Sequence, residues 1–173
     1  MMRKILVTTL LVAGAGAAVA ADSPARKSGL WEINNAMTTP QPMTTTMQQC
    51  VDEKTDKLME QTGDREAKQN CSKNDMSRSG NKVIVDSVCK FDGTTATTRA
   101  EFTGDFSTNY RGDIRTSYNP PMHGMKESQM TISAKWLGPC KPGMKPGDVV
   151  MPGIPGMPGG MKFNPADMQK QMR

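Results

Sequence analysis

The sequence predicts a mainly β protein, an antiparallel meander of about seven strands that is curled or closed as a small barrel. Two observations predict this class. Apolar and polar residues alternate with a period of two in several short segments, which gives each segment one apolar and one polar face. Glycine-, proline- and asparagine-containing turn signals separate these segments. Short strands joined by such turns are typical of antiparallel barrels.

The alternation is clearest in three segments, and a fourth set of aromatic and aliphatic residues shares the same period. The apolar positions are Trp31 and Ile33; Ala96, Ala100 and Phe102; Met130, Ile132, Ala134 and Trp136; and Phe106, Tyr110, Ile114 and Tyr118, where Gly112 interrupts. The turn signals are Thr39-Pro40-Gln41-Pro42, Gly80-Asn81, Asp92-Gly93, Gly104-Asp105 and Asn119-Pro120-Pro121.

One short covering helix is predicted directly after Cys50. Asp52 and Glu53 are acidic residues at the end where the helix dipole favours them. A weak apolar stripe follows, and Gly63 is the expected end. The stripe consists of Val51, Thr55, Leu58 and Met59.

The first residues have the pattern of a signal peptide, which we assign to residues 1–20. Arg3 and Lys4 form a basic head, residues 5–17 are uncharged and apolar, and Ala18-Val19-Ala20 is a cleavage site of small residues. A retained anchor is the alternative, but the apolar stretch is shorter than the roughly 20 residues that span a bilayer. The sequence therefore predicts a periplasmic protein with no transmembrane segment after cleavage.

Four cysteines are an even number, and in an exported chain they predict two disulfides with three alternative pairings. A zinc site is the rival interpretation, but no pair has the close spacing of a zinc knuckle and His123 is the only histidine. Disulfides are therefore favoured. The four residues are Cys50, Cys71, Cys89 and Cys140.

One pairing follows from a predicted hairpin. If the loop is the three residues Ser79-Gly80-Asn81, with Asn81 left-handed, Cys71 lies opposite Cys89 at a distance that a disulfide tolerates. A two-residue turn at Gly80-Asn81 would instead place Cys71 opposite Lys90, with the two sulfurs on opposite faces. By elimination, Cys50 would join Cys140.

The chain changes character near its last cysteine. Glycine and proline make up 13 of the 23 residues from 138 to 160, a composition typical of an extended or mobile segment. We therefore divide the exported chain into a disulfide-stapled β domain, residues 21–140, and a flexible Pro/Gly/Met-rich tail, residues 141–173. Asn164-Pro165 begins a short terminal helix, because asparagine and proline favour its first positions.

Methionine is in excess, with 16 residues. Met122-His123-Gly124-Met125 combines thioethers and an imidazole in a predicted flexible loop, and further methionines follow in the tail. Soft sulfur ligands select Cu(I), so Cu(I) binding is one hypothesis. Methionines that fill core gaps or decorate the tail are the favoured interpretation. The tail methionines are Met144, Met151, Met157 and Met161.

The sequence offers no catalytic constellation. It contains no Gly-x-Ser-x-Gly motif or phosphate loop, and oxidised cysteines are inert as nucleophiles. We therefore expect no enzyme, no catalytic residues, no cofactor and no metal site. Without Arg3 and Lys4 the net charge of +5 falls to about +3, which is too small and too scattered to predict nucleic-acid binding.

Several short segments together resemble a small exported bacterial family known as domain of unknown function 3617. The resemblance covers about residues 29–140, and the ordered four-cysteine pattern is its most specific part. It implies a Gram-negative envelope protein with a disulfide framework and brings no catalytic residues. We therefore expect a non-enzymatic binding or structural component of the envelope, with a ligand or protein partner that the sequence does not identify. The segments are Gly29-Leu30-Trp31-Glu32, Met47-Gln48-Gln49-Cys50, Cys71-Ser72-Lys73, Val83-Ile84-Val85-Asp86-Ser87-Val88-Cys89, Thr103-Gly104-Asp105-Phe106 and Ala134-Lys135-Trp136-Leu137-Gly138-Pro139-Cys140.

Overall fold

The computed structural model describes residues 24–153 and 160–171, so the predicted signal peptide, residues 1–20, lies outside the described residues. The described residues form nine strands and two helices. The strands are β1 (Gly29–Thr39), β2 (Met43–Val51), β3 (Cys71–Ser79), β4 (Lys82–Phe91), β5 (Thr94–Gly104), β6 (Asn109–Met122), β7 (Met125–Gly138), β8 (Val149–Met151) and β9 (Met161–Phe163). The helices are α1 (Glu53–Asn70) and α2 (Pro165–Gln171).

All nine strands belong to one antiparallel sheet in the order β3-β4-β5-β6-β7-β1-β2-β8-β9. The predicted mainly β, antiparallel class is confirmed. The predicted strand count and the predicted barrel differ from the structure. The sheet has nine strands rather than about seven. Within the described ranges its outer strands β3 and β9 do not pair, so the sheet is not closed. A helix, rather than further strands, covers part of the apolar face. Alternation and turn signals do not distinguish these two ways of covering it, so they did not determine whether the sheet closes into a barrel.

The strand register gives the sheet two chemically different faces. Val85, Ala100, Ile114 and Met130 are direct neighbours in β4, β5, β6 and β7, and we call their side of the sheet the apolar face. The opposite side, the polar face, carries ion pairs both between β4 and β5 and within β5. Its pairs include Arg99 with Asp86 at 3.0 Å, Arg99 with Glu101 at 3.2 Å and Lys82 with Glu101 at 2.5 Å.

The core lies at one end of the apolar face, around Trp31. This side chain is fully buried and packs with Ile33, Val51 and Ala134. Its indole Nε1 donates a hydrogen bond to the carbonyl oxygen of Lys27 at 2.8 Å, so the ring is buried without an unpaired polar group. The segment before β1 is thereby tied to the core.

α1 begins as predicted but ends later. Asp52 is the N-cap: its carboxylate accepts from the backbone N–H of Thr55 at 2.7 Å, and the Thr55 hydroxyl accepts from the backbone N–H of Asp52 in return. The predicted end at Gly63 is wrong, because the helix continues to Asn70. One glycine costs a helix only about 1 kcal/mol, and the residues that follow it are mostly good helix formers.

The position of α1 follows from the strand order. It begins two residues after β2 and ends at the residue before β3, and these strands lie six places apart in the sheet. An 18-residue helix is about 27 Å long, close to the width of six strand spacings. α1 begins beside β2 and contacts β3 and β4, so it crosses the sheet.

The β3–β4 hairpin reaches the predicted disulfide by a different register. Ser79 pairs with Lys82, so the turn is the two-residue Gly80-Asn81, and Gly80 rather than Asn81 has the positive φ, 60°. The predicted three-residue loop is therefore wrong. A bulge between Cys71 and Lys73 supplies the odd residue instead and returns Cys71 to a place opposite Cys89.

The segment after Cys140 was expected to be a flexible tail, yet its described part is held against the sheet. β8 pairs with β2, and β9 pairs with β8. The backbone N–H of Cys50 also donates to the carbonyl of Asp148 at 2.9 Å. α2 begins after Asn164 as predicted, because the Asn164 side chain accepts from the backbone N–H of Ala166 at 3.1 Å.

Candidate ligand-binding cleft

A cleft of about 590 Å³ lies between α1 and the apolar face of the sheet. Strands β3 to β6 supply its floor, one side of α1 supplies a wall, and the segment before β1 closes one end. The lining residues are Pro24, Ala25, Arg26, Glu53, Asp56, Lys57, Glu60, Met76, Val83, Val85, Phe102, Phe106 and Tyr110.

The floor of the cleft is aliphatic and aromatic. Val83 pairs with Phe102 in the sheet register, so the two side chains lie next to each other on the apolar face. The rings of Phe102 and Phe106 lie 6.4 and 6.1 Å from the ring of Tyr110, the first edge-on and the second stacked. These three rings and the valines form a continuous apolar surface.

Gly112 determines how Phe102 lies in this floor. The two residues are direct neighbours in β5 and β6. A Cβ atom at Gly112 would lie 2.3 Å from Cδ1 of Phe102, far closer than real Cβ contacts. The ring of Phe102 therefore occupies the space that a side chain at position 112 would need, and it lies close over the backbone of β6.

The helical wall is charged where a covering helix is usually apolar. Glu53, Asp56, Lys57 and Glu60 follow the spacing that places residues on one side of a helix, and all four line the cleft. Ionised side chains are costly to bury against an apolar sheet without partners. They therefore favour an open cleft over tight packing of this part of α1 on the floor.

Arg26 joins the end of the cleft to α1. Its Nε donates to both carboxylate oxygens of Asp56 at 3.1 and 3.2 Å, its Nη2 forms a short contact with the same carboxylate, and Nη1 donates to Gln49 at 3.2 Å. The guanidinium is thus engaged in protein contacts, so we assign it to holding the segment before β1 in place.

Arg26 and Tyr110, at this end of the cleft, have shifted pKa values. Burial lowers the pKa of Arg26, but the hydrogen bond and the charge of Asp56 outweigh burial and raise it above its usual value. Burial raises the pKa of Tyr110, and the opposing effect of nearby Arg26 is smaller. The phenol therefore remains protonated and polar but uncharged in this apolar surrounding.

The cysteines predicted from the sequence lie outside the cleft. The structure joins Cys50 to Cys140, with Cα atoms 5.4 Å apart, and Cys71 to Cys89. These are the two pairs that the hairpin argument favours. The first links β2 to the segment just after β7, and the second links the first residue of edge strand β3 to β4.

The sequence-predicted Met/His loop is a tight turn rather than a flexible loop. Met122 and Met125 pair across the end of the β6–β7 hairpin, and His123 and Gly124 both have positive φ, 49° and 83°. Two central residues with positive φ are the pattern of a type I′ turn. The turn brings the two methionines together, but it does not line the cleft. In the tail, Met151 pairs with Met161, and Met157 lies outside the described residues.

The described residues also bear on two further properties, metal binding by clustered side chains and membrane crossing by a helix. Across residues 24–153 and 160–171, no group of three or more His, Cys, Asp or Glu side chains is arranged to hold a metal ion. In the same part of the chain, neither helix combines the length and the apolar character that crossing a membrane requires.

The floor of the cleft was partly predictable from the sequence, and its wall was not. Alternation predicted that Phe102 and Tyr110 lie on the apolar faces of their own strands, but the closeness of α1 was not visible in the sequence. The spacing of Glu53, Asp56, Lys57 and Glu60 was the signal for a charged helix face. Only the crossing of α1 over the sheet shows that this face meets the floor.

The comparisons with known proteins add a family and no function. No curated protein and no solved structure matches the chain. A family described as "Protein of unknown function (DUF3617)" matches residues 26–140. The match contains the four cysteines, most of the sheet and all of α1, and it covers more than half of the chain. The protein therefore belongs to the DUF3617 family.

Proposed function

We propose that this protein is a non-enzymatic binding component of the bacterial cell envelope. Its ligand is a small apolar or amphipathic molecule that lies in the cleft between α1 and the sheet. The observation that carries the proposal is a cleft of ligand size whose floor is apolar and whose helical wall is charged.

The size and the floor support a small-molecule ligand. Pockets for small molecules typically measure about 300–1,000 Å³ and are lined mainly by aliphatic and aromatic side chains. The cleft of about 590 Å³ falls within that range, and its floor carries three aromatic rings. Burial of an apolar ligand surface there would contribute about 25 cal/mol for each Å² removed from water.

The charged wall supports an amphipathic ligand in particular. The residues of α1 at the cleft are three acids and one lysine, of which Asp56 is engaged by Arg26. A ligand with a polar group at the helix and an apolar body on the floor would leave these side chains hydrated. A fully apolar ligand would desolvate them.

The envelope location is supported by the sequence rather than by the cleft. The basic head, apolar stretch and small-residue cleavage site favour export. Two disulfides are typical of proteins that fold in an oxidising compartment.

The proposal is tested by filling the cleft with one substitution. Val85 lies on the floor, and its neighbour Ile84 points to the opposite face of the same strand. Val85→Trp should place an indole in the cleft and weaken binding of the neutral fluorescent probe N-phenyl-1-naphthylamine about tenfold or more, a change of about 1.4 kcal/mol in binding free energy. Titration of the probe's fluorescence gives the affinity.

Ile84→Trp is the matched control, because it adds the same indole on the polar face one residue away. It should bind the probe like the parent. Circular dichroism and urea unfolding of both variants establish that each is folded. Equal affinity of Val85→Trp and Ile84→Trp for the probe would reject the cleft as the binding site.

A further inference from the structure

Three methionines lie side by side in adjacent strands at the other end of the apolar face. Met37 of β1 is directly opposite Met43 of β2 on one side and Met130 of β7 on the other. None of the three lines the cleft. The sequence does not reveal this row, because more than 80 residues separate Met130 from the other two.

The geometry of a sheet brings these side chains within reach of one another. Adjacent strands are about 4.8 Å apart, and directly opposed residues have Cβ atoms about 4.5–5.5 Å apart on the same face. Methionine has three rotatable side-chain bonds, so three thioether sulfurs in such a row can converge on one ion. Met37 and Met130 are half-buried, whereas Met43 is 60% exposed, so the row is open to solvent at Met43.

The nearest positions along the three strands on this face carry no positive charge. On the apolar face, the next positions along the three strands are Asn35, Thr45 and Ile132. In the opposite direction along β7, the next position on this face is Ser128. None of these side chains would repel a cation, and none is a hard anionic ligand that would favour Mg²⁺ or Ca²⁺ over a soft metal.

We propose that Met37, Met43 and Met130 form a thioether site for a soft univalent cation of the Cu(I) type. Soft sulfur ligands select Cu(I) over hard cations, and the thioethers remain neutral at every pH, so binding needs no deprotonation. The site is separate from the ligand cleft. It also differs from the turn of Met122 and Met125, where two methionines rather than three are opposed.

The test uses Ag(I), a redox-stable soft cation, with the full exported chain labelled with ¹³C at the methionine methyl groups. Native mass spectrometry should show one Ag(I) bound to the parent. The methyl resonances of Met37, Met43 and Met130 should shift together at one equivalent. The triple variant Met37→Leu, Met43→Leu and Met130→Leu should lose this ion while remaining folded, because leucine is close to methionine in volume.

The control is the double variant Met122→Leu and Met125→Leu, which removes the opposed methionines of the turn and leaves the row intact. It should bind Ag(I) like the parent. Absence of stoichiometric binding to the parent would overturn the proposal. So would retention of the ion by the triple variant, or methyl shifts confined to Met122 and Met125. Probe binding in the cleft is measured separately, so failure of either proposal is distinguishable from failure of the other.

Discussion

At the scale of single residues, Asp148 shows how a segment rich in glycine and proline becomes ordered. Its side chain is buried and accepts hydrogen bonds from the backbone N–H of Lys145 at 2.8 Å, from Asn164 at 3.1 Å and from the ammonium of Lys162 at 2.8 Å. One carboxylate thus joins the segment before β8 to β9 and to the start of α2. The glycine and proline content of this segment predicted mobility. The contacts of Asp148 could not be foreseen from the sequence, because its three partners are 3–16 residues away and form no recognisable motif.

Asp148 should make stability depend on pH in the acid range. Burial raises the pKa of this carboxyl, but the hydrogen bonds from Lys162, Lys145 and Asn164 together outweigh it and lower the pKa from 3.8 to about 2. A group with a depressed pKa stabilises the fold above its unfolded pKa, and that contribution is lost as pH falls through its folded value. Asp148→Asn should therefore lower the free energy of unfolding by about 2 kcal/mol at pH 7.

The difference in stability between the parent and Asp148→Asn should shrink as pH falls from about 4 through 2, because the carboxyl of Asp148 takes up a proton in the unfolded chain at a higher pH than in the folded protein. Urea unfolding at a series of pH values measures it. Asp75→Asn is the control, because Asp75 is exposed and its ion pair with Lys73 is 3.6 Å long. Such a pair contributes little. A difference between parent and Asp148→Asn that stayed constant down to pH 2 would contradict this role for the carboxylate.

At the scale of elements, the β3–β4 hairpin shows what sequence reasoning can and cannot supply. The two strands and the place of their turn were predicted from the turn composition around Gly80-Asn81. The register could not be predicted, because two arrangements place Cys71 opposite Cys89. One is a three-residue loop without a bulge, and the other, which the structure has, is a two-residue turn with a bulge at Ser72. The pairing was derived from a loop that the structure does not contain. Turn composition constrains the residues beside the turn better than residues eight positions away.

The two disulfides should contribute unequally to stability. Their cysteines are 90 residues apart for Cys50 and Cys140 but 18 apart for Cys71 and Cys89. In the chain-entropy treatment, the longer loop is worth about 4.5 kcal/mol and the shorter about 3 kcal/mol. Replacing both Cys50 and Cys140 by alanine should therefore cost more than replacing both Cys71 and Cys89.

Urea unfolding under non-reducing conditions measures both double variants against the parent. Burial strengthens the expected order, because Cys50 is among the largest fully buried side chains and its removal also leaves a cavity beside β8. Non-reducing peptide mapping of the parent should show the same two pairs. A larger loss for the Cys71 and Cys89 variant would contradict this account.

At the scale of the whole molecule, α1 and the order of strands create the site. β1 and β2 come first in the chain, yet they lie beyond β7 in the sheet, so the connection to β3 must pass back across the strands between them. α1 is that connection. The sequence indicated the helix and about seven strands, but not that the first two strands lie far from the third. Strand order depends on pairings between distant segments, which alternation does not encode. The cleft was therefore not predicted, although the residues of its floor were partly identified.

The measurement that tests the central claim most directly is a map of where a small apolar ligand binds. Protein labelled at the methyl groups of valine and isoleucine is titrated with N-phenyl-1-naphthylamine and followed by NMR. The aromatic probe should shift the methyl resonances of Val83 and Val85, which line the cleft, and leave those of Ile84 and Val88, on the opposite face of β4, nearly unchanged. Shifts confined to the polar face, or no saturable shift at Val83 and Val85, would contradict the proposal that the cleft between α1 and the sheet is the binding site.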